Sequence, residues 1–96
     1  MVKVYWTDTA MENLEAIHAY IAQNSPQYAN QVVDSIISRS EQLANFPLSG
    51  RILPEVGRKE IRELIEGSYR IIYYVKPEQI DILAVIHGSQ SLTRLE

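Results

Sequence analysis

Two side chains in the second half of the chain have the chemistry to act on a charged target. Arg70 lies inside an apolar segment, where its guanidinium is available either to a negatively charged target or to Glu63 or Glu60 across a predicted hairpin. His87 follows another apolar segment, and an imidazole with a reference pKa of about 6.5 suits a general base at neutral pH. The competing interpretation of His87 is a hydrogen-bonded histidine at the end of a strand. Both alternatives stay open from the sequence alone.

Further basic residues lie just before this segment and are candidates for contacting a target. Arg62 alternates with an apolar neighbour, so it is either a contact residue or a solvated residue on one face of a strand. Arg51 and Arg58 belong to residues 47–59, which contain two Gly and two Pro, have no clear period and are expected to form a long ordered loop. With Lys59 they form a basic cluster whose charge is reduced by Glu55 and Glu60, so a solvated loop and a binding patch are both consistent with this composition.

The alternation of side chains along a strand decides which residues share a face. Tyr73 and Tyr74 are adjacent, so one is expected to pack under the helices while the exposed one can stack on a base or a partner. We place Tyr74 among the candidates for target contact. Along the last strand, strict alternation predicts one face with Ile80, Ile82, Ala84 and Ile86, and the other with Asp81, Leu83, Val85 and His87.

The composition indicates a single small domain without a metal or cofactor. Cysteine is absent, which excludes disulfides and thiolate zinc sites, and the two histidines lack a third ligand at metal spacing. Residues 1–96 are expected to form one domain. The net charge of −3 weighs against broad nonspecific binding to nucleic acid. No signal peptide is recognisable and no apolar run approaches ~20 residues, so we expect a cytoplasmic protein without membrane contact.

Three consecutive strands are predicted in the second half of the chain. The first begins at Ile61 and leads to a turn at Gly67, and a β-branched and aromatic run from Tyr69 to Val75 returns as the second strand. Pro77 marks the next turn, and the third strand runs from Ile80 to Ile86. The short turns predict an antiparallel meander.

The first half predicts a short strand and two helices. Val2–Trp6 alternates as a strand suited to the edge of the meander, and Thr7 is a good N-cap for a helix that runs to about Asn24. Ser25–Pro26 is a second helix start, and Phe46–Pro47 is expected to end that helix. The expected fold is a two-layer α+β domain, with a helical hairpin packed on an antiparallel sheet in the order β-α-α-β-β-β.

In order and spacing, several short segments of the chain are similar to those of the ParE/RelE superfamily, the toxins of bacterial type II toxin–antitoxin systems. The resemblance covers essentially the whole chain. The segments that carry it are Val4–Thr7, Ala10, Leu14–Ile17, Pro47–Arg51, Ile61–Leu64, Gly67–Tyr74 and Ile82–Gly88.

The resemblance implies a toxin that a cognate antitoxin neutralises, and two activities are known in the superfamily. ParE-like toxins inhibit DNA gyrase. RelE-like toxins cut mRNA on the ribosome without a metal, using basic and aromatic side chains on the sheet to position the 2′-hydroxyl and stabilise the charged phosphate. A degenerate binding module with little toxicity is a third alternative.

The resemblance places Arg70 at the arginine that begins the central strand of RelE-like toxins and Arg62 near their preceding basic residues. Cleavage through the 2′-hydroxyl needs a base, an acid and cations, and the nuclease hypothesis therefore requires Arg70, Arg62 and His87 on one exposed face. After Gly88, however, the sequence has no tyrosine and no arginine before Arg94. This departure and the acidic composition favour the ParE-like hypothesis.

Overall fold

The computed structural model describes residues 1–90, which form two helices packed on one face of a five-stranded sheet. The predicted two-layer α+β architecture is confirmed. In chain order, the elements are strand β1 (Lys3–Trp6), helices α1 (Asp8–Ala22) and α2 (Pro26–Glu41), a 3-10 turn (Gln42–Ala44), and strands β2 (Arg51–Ile52), β3 (Ile61–Glu66), β4 (Tyr69–Val75) and β5 (Gln79–His87).

The sheet has the strand order β1-β5-β4-β3-β2, with the predicted antiparallel meander of β3, β4 and β5 at its centre. The sheet is mixed rather than wholly antiparallel, because β1 joins the outer edge of β5 in the parallel direction. No tight turn connects these two strands, so local turn chemistry does not set their direction. The predicted loop contains β2, a two-residue strand that pairs with β3 and forms the opposite edge of the sheet.

The predicted helix starts are confirmed by their capping hydrogen bonds. The Thr7 hydroxyl accepts from the Ala10 amide at 3.2 Å and donates to the Ile82 carbonyl at 2.7 Å, which ties the start of α1 to β5. The Ser25 hydroxyl accepts from the Tyr28 amide at 3.1 Å. The second helix ends at Glu41 and is extended only by the 3-10 turn, earlier than the predicted stop. Within residues 1–90, no helix combines the length and the apolar character that a membrane span requires.

Apolar side chains fill both faces of the sheet. The main core lies between the helices and the sheet and consists of Ala10, Ile36, Leu43, Leu64, Ile71, Tyr73, Ile80, Ile82 and Val85. We call the other side of the sheet the open face. A smaller buried cluster lies there and consists of Leu53, Ile61, Ile72 and Ala84. The loop before β3 therefore folds over part of the open face and contributes Leu53 to it.

A β-bulge in β5 breaks the predicted alternation of this strand. Ile72 pairs with Ala84 and Tyr73 pairs with Ile82, so Leu83 is an extra residue opposite β4. From Ala84 onward the faces are exchanged relative to the prediction. Val85 consequently packs in the main core, whereas Ala84 joins the cluster on the open face.

Tyr73 anchors the segment that leads into β2. Its side chain is fully buried in the main core, and its hydroxyl accepts a hydrogen bond from the Gly50 amide at 2.9 Å. Tyr74 lies on the open face and is only half-buried, so the predicted division between the two adjacent tyrosines is confirmed. The hydrogen bond to Gly50 fixes the segment before β2 against the end of the core.

We expect Tyr73 to stay protonated at a pH at which exposed tyrosines ionise. Burial raises its pKa above the usual value of about 10. Because the folded-state pKa lies above that of the unfolded chain, the neutral phenol stabilises the folded state up to about pH 10, and this contribution is lost as the pH rises through the folded-state pKa. Ultraviolet titration of tyrosinate formation will therefore show a late-titrating residue.

The variant Tyr73→Phe tests this assignment. It should remove the late titration and lower the free energy of unfolding by about 1 to 3 kcal/mol, because the Gly50 amide loses its buried acceptor. Tyr28→Phe is the matched control, since Tyr28 is 56% exposed. A Tyr73→Phe variant that lost a normally titrating tyrosine would contradict the assignment.

Candidate functional site

An ion-pair cluster on the open face surrounds Arg70, the first candidate from the sequence. Its Nε donates to Glu63 Oε1 at 2.6 Å, and its Nη1 and Nη2 donate to the two carboxylate oxygens of Glu55, each at 2.8 Å. Nη1 also donates to the Gln90 carbonyl at 3.0 Å. From the other side, Arg51 Nε donates to Glu63 Oε2 at 2.5 Å. All three guanidinium nitrogens of Arg70 are therefore engaged within the chain.

The register of the strands explains how Glu63 comes within reach of Arg70. Glu63 lies opposite Ile72, and Arg70 lies opposite Ile65, so the acid and the base are diagonal neighbours on one face of the hairpin. The proposed pairing of Arg70 with Glu63 is confirmed, while Glu60 instead pairs with Arg58.

Burial and charge make this cluster a structural ion pair. Arg70 is 7% exposed and Glu63 is 1% exposed. The pKa of Arg70 is raised, first by its hydrogen bonds to Glu55 and then by its hydrogen bond to Glu63, and burial opposes this shift only in part. The guanidinium is thus charged, covered and matched by two carboxylates, which leaves little positive potential for a phosphate.

His87 lies on the opposite side of the sheet from Arg70. It pairs in register with Tyr69, and the two rings meet edge to face with centroids 5.7 Å apart. Tyr69 packs against the main core, whereas Arg70 and its partner Ile86 face the open side. The exposed His87 ring engages Ser89, with 2.7 Å between Nδ1 and the Ser89 hydroxyl oxygen. His87 is therefore placed as a hydrogen-bonded histidine at the end of β5.

Arg62 also lies on the helix side of the sheet, but on β3 rather than β5. It is paired with the core residue Tyr73, and its guanidinium donates to the carbonyls of Lys59 at 2.9 Å and Gly50 at 2.9 Å. The strand β4 separates it from His87. The face that the nuclease hypothesis requires is therefore not formed, because Arg70 lies on one side of the sheet while Arg62 and His87 lie apart on the other.

The remaining candidates lie around β2 and the loop that follows it. The Arg51 side chain is 65% exposed although its Nε contacts Glu63. The guanidinium carbon of Arg58 lies 6.0 Å from the centroid of the Tyr74 ring, at the outer limit of a cation–π contact. Arg94 lies outside the described residues. Within residues 1–90, no three His, Asp or Glu side chains are grouped to hold a metal ion.

The helical hairpin carries exposed apolar surface. Met11, Tyr20 and Tyr28 are 50%, 74% and 56% exposed. A groove of about 430 Å³ between β1 and the helices is lined mainly by apolar residues, namely Val4, Trp6, Met11, Leu14 and Ile37. His18 contacts Asn30 with 2.8 Å between Nε2 and Oδ1, and so links α1 to α2.

Sequence reasoning missed two features of this part of the molecule. Glu55 was not identified as a partner of Arg70, because it belongs to a loop whose path no periodicity predicts. Exposed apolar side chains before and within β2 were also missed. The signal that could have found them is the placement of apolar residues at even-numbered positions on either side of Gly50, namely Phe46, Leu48 and Ile52.

Comparisons with known proteins find toxins of type II toxin–antitoxin systems. Residues 4–92 match a family described as the ParE toxin of the type II toxin–antitoxin system parDE. The Y4kP protein of Sinorhizobium fredii is 37% identical over 92% of this chain and 90% of its own length. Toxin RelE2 of Caulobacter vibrioides is 32% identical over 94% of this chain and 99% of its own length. A solved structure of the chromosomal ParDE system from P. aeruginosa aligns with a TM-score of 0.75 and 26% identity, over 91% of this chain and 96% of that one.

Proposed function

Because this chain belongs to the ParE toxin family of type II toxin–antitoxin systems, we propose that it arrests growth by binding DNA gyrase and not by cutting RNA. The proposed action is protein–protein contact in the bacterial cytoplasm, and it needs neither a catalytic residue nor a cofactor. The contact residues that we propose are the accessible members of the sequence-derived set, Arg51, Arg58, Arg62 and Tyr74.

The observation that carries this proposal is the engagement of Arg70 by two carboxylates. A nuclease of this fold would need a cation free to stabilise the developing charge on phosphate. The Arg70 guanidinium is instead covered and paired with Glu55 and Glu63. Two carboxylates at this place would also repel a phosphate, and His87 lies on the other side of the sheet.

We further propose that a cognate antitoxin covers the helical hairpin. The exposed side chains of Met11, Tyr20 and Tyr28 and the adjoining apolar groove are typical of a surface that a partner segment buries. The solved structure from P. aeruginosa is of a ParDE toxin–antitoxin system, which supports the same assignment.

Induced expression of the chain in a bacterial host tests the target. We expect DNA synthesis to fall within minutes, with filamentation and damage signalling, while protein synthesis continues. Purified chain should inhibit supercoiling by gyrase, and addition of the antitoxin should relieve that inhibition. His87→Ala is expected to change toxicity by less than about twofold, since the proposed action uses no general base.

Other outcomes would replace this proposal. An early loss of translation with cleaved messages, abolished by His87→Ala, would establish the RelE-like nuclease to which the similarity with RelE2 also points. Absence of any growth effect from well-expressed, folded chain would establish a degenerate binding module.

A further inference from the structure

A second exposed apolar surface lies at the β2 edge of the sheet, away from the groove beside β1. Phe46 and Leu48 are 64% and 61% exposed, and Ile52 is 42% exposed. Ile52 lies directly opposite Arg62, and the Arg62 guanidinium reaches the Leu48 carbonyl at 3.4 Å. These contacts join Leu48, Ile52 and Arg62, and Lys59 adjoins them because its carbonyl accepts from Arg62 Nε at 2.9 Å. We call this surface the β2 edge patch and define it as Phe46, Leu48, Ile52, Lys59 and Arg62.

The backbone under the β2 edge patch is held in place by buried contacts. The Gly50 amide donates to the buried Tyr73 hydroxyl, and the Gly50 carbonyl accepts from Arg62 at 2.9 Å. Just beyond, Leu53 is fully buried and its amide donates to the Ile61 carbonyl at 2.9 Å. The exposed apolar side chains therefore project from an ordered segment. A surface that is ordered before it binds loses less conformational entropy on binding.

The β2 edge patch is basic in a chain whose net charge is −3. Its cations are Lys59 and Arg62. Arg51 pairs with Glu63 on the open face, and Glu60, next to Lys59, pairs with Arg58. The segment up to Phe46 has the opposite balance. Its basic residues, Lys3 and Arg39, are outnumbered by acidic residues, namely Asp8, Glu12, Glu15, Asp34 and Glu41. The two apolar surfaces therefore suit partners of opposite charge.

The edge strand also offers backbone hydrogen bonds. Leu53 and Ile61 are hydrogen-bonded to each other, so the neighbouring pair of Ile52 and Arg62 is of the non-hydrogen-bonded type. The amide and carbonyl of Ile52 consequently point away from β3, towards the free edge of the sheet. A partner can combine backbone pairing at this residue with burial of the flanking apolar side chains.

We propose that the β2 edge patch is the surface with which the toxin docks on an acidic surface of its protein target. Phe46 and Leu48 fill an apolar recess of the target, and the flanking cations meet its carboxylates. The inference rests on the proposed function, in which that target is gyrase. The antitoxin occupies the other surface, so docking on gyrase and binding of antitoxin use different residues.

Substitutions at matched positions test this assignment. In the patch, Leu48→Ser removes an apolar anchor and Lys59→Glu reverses a charge. The matched controls are Tyr5→Ser and Lys3→Glu, because both residues are exposed on β1, the opposite edge of the same sheet. Each full-length variant is assayed for inhibition of gyrase supercoiling, binding to the antitoxin and thermal unfolding.

We expect Leu48→Ser to raise the concentration needed for half-inhibition of gyrase by about tenfold or more, as at the centre of other interfaces. Lys59→Glu should weaken inhibition more at low than at high salt. Antitoxin binding and thermal unfolding of the two patch variants, and gyrase inhibition by the two control variants, should stay unchanged.

The outcomes separate this inference from the function on which it rests. Wild-type inhibition of gyrase that survives both patch variants would overturn the docking surface and leave the function intact. Failure of the wild-type chain to inhibit gyrase would overturn both. Formation of a dimer that Leu48→Ser dissociates would assign the patch to self-association and overturn the inference. Lys59→Glu keeps the test valid if Leu48→Ser does not fold.

Discussion

Replacing Glu63 with Gln is expected to lower the free energy of unfolding by about 3 to 5 kcal/mol, the range found when one partner of a buried ion pair is removed. The Glu63 side chain is fully buried and accepts from two arginines. Glutamine has nearly the same volume, so the substitution changes charge with little change in packing. Its amide leaves Arg70 buried with one carboxylate fewer and places an N–H donor beside a cation. Urea denaturation measures the difference.

Arg51→Met is the matched control for Glu63→Gln, because it removes a partner of the same carboxylate from the solvent side. The Arg51 side chain is 65% exposed, and exposed ion pairs contribute only about 0 to 1 kcal/mol. If Glu63→Gln destabilised the chain no more than Arg51→Met, the buried pair of Glu63 and Arg70 would not be a major contributor to the free energy of unfolding.

Replacing Gly50 with Ala is expected to destabilise the chain by about 1 to 3 kcal/mol, because the site has no room for a methyl group. A Cβ on Gly50 would lie 2.5 Å from the Tyr73 hydroxyl oxygen and closer still to the Glu63 carbonyl oxygen. The clash pushes β2 away from β3 and breaks the hydrogen bond to Tyr73. Antitoxin binding should change less than gyrase inhibition, since the distortion is centred on the β2 edge.

The neighbouring exposed residue supplies the control for Gly50→Ala. Ser49→Ala should change the free energy of unfolding by less than about 0.5 kcal/mol. In the double variant with Tyr73→Phe, the loss should be smaller than the sum of the two single losses, because the hydroxyl contributes to the clash. A Gly50→Ala variant as stable as Ser49→Ala would show that the backbone relaxes freely there.

Local signals in the sequence were sufficient for the elements and for contacts between near neighbours. Thr7 and Ser25 marked the helix starts by their capping chemistry, and Gly67, which adopts a φ of 57°, marked the tight hairpin turn. The hairpin in turn brought Glu63 within reach of Arg70. These inferences depend on a few residues joined by short turns, where periodicity and turn chemistry determine the geometry.

Contacts across longer separations could not be predicted in the same way. Glu55 reaches Arg70 through a loop with no period, so nothing in the sequence selects it over Glu60. The side on which His87 lies depends on one extra residue in β5, which has the same apolar character as its neighbours. The free edge at Ile52 follows from a strand of only two residues, too short to carry a pattern.

The bulge at Leu83 places His87 and Arg70 on opposite sides of the sheet, because it shifts the alternation of side chains along β5 by one residue. In a strand of strict alternation, His87 would share the face of Asp81, which pairs with Tyr74 and so lies on the same side as Arg70. Insertion or deletion of a single residue here exchanges the two faces for everything that follows, without altering the fold. In evolutionary terms, whether β5 has an odd or an even number of residues before His87 decides which side chains can act together on this sheet. A relative that lacked the extra residue would bring its imidazole to the same side as the guanidinium.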